Sequence, residues 1–135
     1  MTRHERILSL LDSVAETVEP VAAARIAAAI VYKKEVISIG TNRLKTDPFQ
    51  SKFSSHIQAI YLHAENDAIK KALRVLSIEE LAKSRLYISR SKFEEPTKKT
   101  MIRGLARPCA GCMRAIAAFD IKHVCFTTEE GYDWL

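Results

Sequence analysis

Apolar side chains recur at three- and four-residue intervals near the start of the chain, at Ile7, Leu8, Leu11, Val14, Ala15 and Val18. That spacing lines them along one face of an α-helix. Thr2 and Glu5 stand ahead of the run in capping-box spacing, and Pro20 sets its end. Two further apolar runs, residues 22–32 and 35–39, meet at Lys33-Lys34, and Gly40-Thr41-Asn42 closes the second. The β-branched Ile30, Val31, Val36, Ile37 and Ile39 favour a hairpin, whereas the alanines of the first run have strong helix propensity. Residues 40–56 are polar and irregular and read as a loop, with Asp47-Pro48 as a turn and Phe49 and Phe53 as apolar anchors.

Helical periodicity resumes at Ala68, Ile69, Ala72, Leu73 and Leu76, which predicts a helix over residues 64–76 with His63 and Glu65 at its N-terminus. Leu81-Ala82 closes a short turn, and Leu86-Tyr87-Ile88 reads as a buried strand. Residues 90–107 carry many charges and no periodicity. Pro108 is expected at the first position of a helix running to Phe119, and residues 123–126 form a last strand. Strands separated by helices after the hairpin imply parallel crossovers, hence a three-layer α/β domain. A chain of 135 residues makes one such domain rather than two.

Composition narrows the setting. With 47% hydrophobic and 27% charged residues the chain has globular proportions. No apolar stretch approaches the roughly 20 residues that span a bilayer. The start, Met1-Thr2-Arg3-His4-Glu5, lacks the basic-then-apolar order of a secretory signal, so a cytoplasmic location is expected. Three cysteines are an odd number, and Cys109 and Cys112 are spaced like metal ligands, which fits a reducing compartment. Cys125, inside Val124-Cys125-Phe126, reads as a buried, inert thiol. The net charge of +5 suits an anionic partner, nucleotide or polymer, but the basic residues are scattered, as on an ordinary mixed surface.

The candidate chemistry lies in His63-Ala64-Glu65 and Pro108-Cys109-Ala110-Gly111-Cys112. Alone, Cys-x-x-Cys is a common redox or structural motif, and His-x-Glu is a common piece of surface helix. Together they give one imidazole and two thiols, a donor set that selects zinc, and three protein ligands leave a fourth position for water. Cysteines three apart at a helix start project from one face, where unpaired N–H groups and the positive end of the helix dipole favour thiolates. Glu65 is the carboxylate that can take a proton from such a water and pass it on. His4, His56 and His123 have no partner at ligand spacing and read as ordinary polar positions.

At these two motifs, and over most of its length, the chain resembles the zinc-dependent cytidine and deoxycytidylate deaminase superfamily. The resemblance implies a three-layer α/β/α fold with a mixed sheet, and it turns the Ala-rich run into a strand. It makes His63, Cys109 and Cys112 the ligands of Zn2+ and Glu65 the proton shuttle. It further implies substrate contacts from Asn42, from the Ala64 N–H and from the Arg107 carbonyl. Arg107 replaces the usual Glu or Ser before Pro-Cys, and residues 91–106 are longer than the corresponding stretch in many relatives. Lys92, Lys98, Lys99, Arg103 and Arg107 of that stretch are expected either to fold over the pocket and neutralise a substrate phosphate or to be solvated loop charges.

The expected reaction is hydrolysis of a cytosine nucleotide, dCMP foremost, to the uracil nucleotide and ammonia. Deamination of another nucleoside, a free base or a base in nucleic acid is the enzymatic alternative, though no aromatic-interleaved basic groove is evident. A noncatalytic zinc-stabilised binding module is the alternative of another class. No membrane partner is expected. The resemblance also implies a homo-oligomer, since family members often complete their pockets across subunits.

Overall fold

The computed structural model describes residues 1–20, 24–53, 61–95 and 99–135. The elements run α1 (Arg3–Glu16), β1 (Arg25–Tyr32), β2 (Glu35–Thr41), α2 (Pro48–Phe53), α3 (Ala64–Ala72), α4 (Ile78–Ala82), β3 (Arg85–Phe93), β4 (Met101–Gly104), α5 (Ala110–Ala118), β5 (His123–Thr128) and β6 (Gly131–Trp134). The strands form one six-stranded mixed sheet in the order β2-β1-β3-β5-β6, with β4 on the extended end of β3. β3 and β5 are parallel and the other pairings antiparallel. Because β1 runs against both its neighbours, β2, β3 and β5 share one direction. The helices α3 and α5 therefore serve as crossovers, as the alternation of elements predicts.

Strand side chains alternate between two buried layers. Ala27, Ala29, Val31, Tyr87 and Cys125 face α1, whose Ile7, Leu8, Leu11 and Ala15 complete that layer. Ala28, Ile30, Leu86, Ile88, Val124 and Phe126 face α3 and α5. Each fully buried Leu or Ile contributes about 1.5–3 kcal/mol through removal of apolar surface from water. The Ala-rich run is a strand because it lies in the middle of the sheet with a helix on either side. Small residues on its faces let both helices come close, and this tertiary requirement overrides the alanines' helical preference.

The closest approach occurs at Gly40 on β2. A Cβ there would stand 2.3 Å from the Ala68 nitrogen and 2.4 Å from the Ala64 carbonyl oxygen. The α3 backbone thus rests directly on the strand. Ser38 donates from its hydroxyl to the Ala68 carbonyl (2.7 Å), and the Thr41 N–H donates to Asp67 (3.1 Å). Lys71 pairs with the same carboxylate at 3.0 Å.

Several sequence expectations need correction. Residues 64–76 do not form one helix: α3 ends at Ala72, and Ser77 caps α4 with a full capping box. Part of the expected loop is helical, since Asp47 accepts from the N–H groups of Phe49 and Gln50 to start α2. Phe49 and Phe53 do act as anchors, packing on Phe119, the C-cap of α5, at centroid distances of 5.9 and 6.4 Å. Pro108 is not the first helical residue; Cys109, with extended backbone (φ −70°, ψ 170°), is the N-cap of α5. Part of the charged stretch is ordered as well, because β3 continues to Phe93 and pairs with β4. A sixth strand follows β5. At Thr2 the hydroxyl accepts from the Glu5 N–H, the expected cap of α1.

Gly40→Ala should lower stability by about 2–3 kcal/mol or more, because backbone on both sides has no rotamer by which to yield. Thermal unfolding and zinc content measured together test this: a variant with an unchanged melting temperature and full metal would contradict so tight a seat for α3.

Candidate metal centre and active site

His63 and Cys109 are the N-caps of α3 and α5, both with extended backbone. Leu62, just before His63, accepts from Arg43 just past β2, and Ala106, three residues before Cys109, donates to Thr127 near the end of β5. Both caps therefore lie by the C-terminal ends of strands, where open α/β sheets bind ligands. The His63 Nδ1 is 3.3 Å from the Cys109 sulfur and 3.3 Å from the Cys112 sulfur. All three ligand atoms lie within 4.8 Å of one another. Tetrahedral zinc with bonds of about 2.0 Å to nitrogen and 2.3 Å to sulfur separates such atoms by roughly 3.5 Å. The residues fit the ion, in donor chemistry and in spacing.

The helix that carries His63 is held from behind. Gln50, fully buried on α2, accepts from the His63 N–H at 3.1 Å and from the Asn66 side-chain amide at 2.7 Å. Lys70 reaches back to Asp47 at 2.7 Å, and Arg114 of α5 donates to the Phe53 carbonyl at 2.6 Å. α2 thus braces both metal-bearing helices. Nothing in the hydrophobic pattern singles out Gln50, a lone amide in a polar stretch.

The three donors share protons. Hydrogen bonds from Cys112 and His63 push the Cys109 thiol down to about 3. The bond that Cys112 gives, together with its burial, pushes its own thiol up. The bond to Cys109 raises His63. Glu65, 4% exposed, lies in the first turn of α3 against Cys112, and burial pushes its carboxyl up.

The remaining expected residues divide. Asn42 is buried at the end of the hairpin, where its side-chain oxygen accepts from the Ile26 N–H (2.8 Å) and its amide donates to the Ala24 carbonyl (2.9 Å). It clamps β1 to β2. Ala64 is buried at the first position of α3, and Arg107 is exposed two residues before Cys109. Arg103 is a correction. Its guanidinium pairs with Asp12 of α1 at 2.9 Å, on the sheet face away from the donor cluster, because its β3 partner Ser91 faces α1. Lys92 pairs with Glu129, Lys99 is exposed, and Lys98 and His56 lie outside the described residues. His4 hydrogen-bonds the Tyr87 hydroxyl at 2.7 Å, His123 is exposed, and Cys125 is buried, its thiol pushed up to about 12 by that burial.

A three-layer α/β/α sheet with one His and two Cys gathered between helix N-termini defines a zinc-binding domain of the deaminase type. The chain belongs to the family described as the cytidine and deoxycytidylate deaminase zinc-binding region, which it matches over residues 1–128. Among solved structures it is similar to the dCMP deaminase of the cyanophage S-TIM5. The apo form aligns with a TM-score of 0.59 at 20% identity, over 95% of this chain and 85% of that one. The form in complex with dCMP and dUMP gives a TM-score of 0.52 at 20% identity, over 93% and 78%. Comparison with curated protein sequences gave no match. Among the described residues no helix is long and apolar enough to cross a membrane.

Two outcomes follow from the shared protons. Zinc needs neutral imidazole and two thiolates, so titrating it into chelator-treated protein in weak buffer near neutral pH should release at least one proton per ion. Indicator absorbance measures this, and metal uptake without acidification would contradict the coupled set. The raised Glu65 carboxyl favours the fold in its protonated form. The stability it lends is present in acid and lost as pH climbs through the raised value. Metal-stripped Glu65→Gln should therefore melt above the wild type at neutral and alkaline pH, with the gap closing below about pH 4, the ordinary carboxylate range. A gap independent of pH would contradict the raised carboxyl.

Proposed function

We propose that this protein is a zinc-dependent hydrolytic deaminase of cytosine nucleotides, converting dCMP to dUMP with release of ammonia. The observation that carries this reading is Glu65: a buried carboxyl set against a three-donor metal cluster, with no Lys or Arg ion pair among the described residues. A structural zinc site has no use for it, and burying it costs stability. His63, Cys109 and Cys112 would hold zinc, which when bound would supply Lewis-acid activation of a water by lowering its pKa far below the bulk value.

The protein's own groups do the rest. Glu65 takes a proton from the attacking water. Its carboxyl, held up by burial, then has the affinity to keep that proton and deliver it to the pyrimidine ring nitrogen. It afterwards carries the second proton, from the hydroxyl on the ring carbon, to the departing amine. The Ala64 N–H, at the start of α3, and the Arg107 carbonyl, on the approach to Cys109, are the backbone groups assigned to the pyrimidine edge and the leaving amine. Asn42 anchors the end of the hairpin against which the sugar lies. The water's oxygen stays on the ring carbon, the amine leaves as ammonia, and the Glu65 carboxylate is regenerated. Identification of dCMP as the substrate is supported by the fold shared with a dCMP deaminase and by the net positive charge.

Ammonia release from a panel of cytosine, adenine and guanine compounds, offered as bases, nucleosides, mononucleotides and short oligonucleotides, tests the proposal. The zinc-loaded protein should act on dCMP in preference to the others. Glu65→Ala should keep zinc and fold while losing at least about 10²–10⁴-fold in rate, the range for a general acid–base group. Retained activity in that variant would overturn the mechanism, and a zinc-loaded wild type inert toward the whole panel would overturn the function.

A further inference from the structure

Arg90 stands two residues beyond Ile88 on β3, so its side chain leaves the sheet on the face covered by α3 and α5. Its neighbours Ser89 and Ser91 point the other way and hydrogen-bond Asp12 of α1. Across the sheet Arg90 is opposite Ile26, the residue whose N–H is gripped by Asn42, and on its other side it is opposite Gly104. From Gly104 the chain runs directly to Cys109. Arg90 therefore lies at the end of the sheet where the donor cluster and Asn42 lie, between β1 and the approach to the metal ligands.

Its placement is fixed from several sides. The Arg90 N–H donates to the Thr127 hydroxyl at 3.1 Å, which in turn donates to the Gly104 carbonyl at 2.9 Å. Its aliphatic stem lies across Gly104, where an added Cβ would come within 3.3 Å of Arg90 Cδ. Yet one donor of the charged end has no partner. Arg90 Nε is buried without a hydrogen-bond partner, and no carboxylate among the described residues pairs with the guanidinium. Three neighbouring cations are already engaged: Lys92 with Glu129, Arg103 with Asp12, and Arg25 over the Phe93 ring. A buried donor without a partner is costly, and on the half-buried Arg90, facing the ligand-binding end of the sheet, Nε is a donor that a ligand would satisfy.

We infer that Arg90 is the phosphate receptor of the substrate site, its planar fork binding the 5′-phosphate of the nucleotide and thereby favouring nucleotide over nucleoside. This rests on the proposed deaminase function and adds a specificity-determining residue to it. The basic stretch read from the sequence places that role on Arg103 and Arg107; the strand pairing turns Arg103 to the opposite face and leaves Arg90, at the stretch's edge, facing the site. Two oxygens accepting from one guanidinium give geometric selectivity that a lysine ammonium does not reproduce.

The test compares Arg90→Gln and Arg90→Lys with the wild type, all zinc-loaded, using dCMP and deoxycytidine. Arg90→Gln should raise the KM for dCMP about 10–100-fold, the range for losing a charge-assisted contact. The KM for deoxycytidine should move far less, zinc content should hold, and Arg90→Lys should recover part of the dCMP loss. Equal effects on both substrates, or none on dCMP, would overturn the assignment. Should the wild type deaminate neither compound, the functional reading fails by itself, and calorimetric binding of dUMP and of inorganic phosphate still decides the point. Weaker binding to Arg90→Gln than to wild type supports the receptor; equal binding, or none to the wild type, overturns it.

Discussion

Everything at the metal-bearing end of this fold depends on how closely α3 sits on β2. The contact is backbone on backbone at Gly40, with no side chain between to adjust the distance. Because helix and strand touch in this way, the direction of α3 is set by main-chain geometry, reinforced by Ser38 on the Ala68 carbonyl and by Asp67 on the Thr41 N–H. His63 is then placed by being the residue before the helix, and Glu65 by being the second residue within it. Two candidate site positions follow from one steric condition.

The second helix arrives by a different route. The parallel step from β3 to β5 carries α5 over the same face, and Cys109 caps it as His63 caps α3. Two positive helix ends thus converge where thiolates and a carboxylate must be tolerated. α2 binds the halves together, through Gln50 to α3 and through Phe49, Phe53 and Arg114 to α5. Preorganisation of this kind keeps metal donors at 3.3 Å spacing by packing that does not itself involve the metal.

Much of this was legible in the residues. The three donors, and the placing of Glu65 beside them, are readable because ligand chemistry restricts residue type and helical geometry restricts spacing, and both restrictions are local. The hairpin was ambiguous, since alanines that favour a helix in isolation serve in a strand wedged between helices. Only the family resemblance resolved it. The stretch after Ile88 was misread for a related reason. Charged residues such as Lys92 and Arg103 alternate on an exposed ribbon at the edge of the sheet, where neither face demands apolar side chains, so no period-two pattern arises. The partners that decide their roles, Asp12 and Glu129, are distant in sequence. Gln50 and Arg90 carry no sequence signal on the same grounds, because a single buried or half-buried polar side chain leaves no periodic trace.

Thr127 joins these parts with one residue. Its hydroxyl takes the Arg90 N–H and gives to the Gly104 carbonyl, and its own carbonyl takes the Ala106 N–H. The base of the β3–β4 ribbon is thereby fastened to β5 on both strands before the ribbon extends outward, and the path from Gly104 to Cys109 is fixed independently of what lies beyond. The outer ribbon is in effect insulated from the metal centre. Its length and sequence can drift, be trimmed or be recruited to a new contact without altering the donors, making it the part of this scaffold where evolution can experiment at least risk to the chemistry.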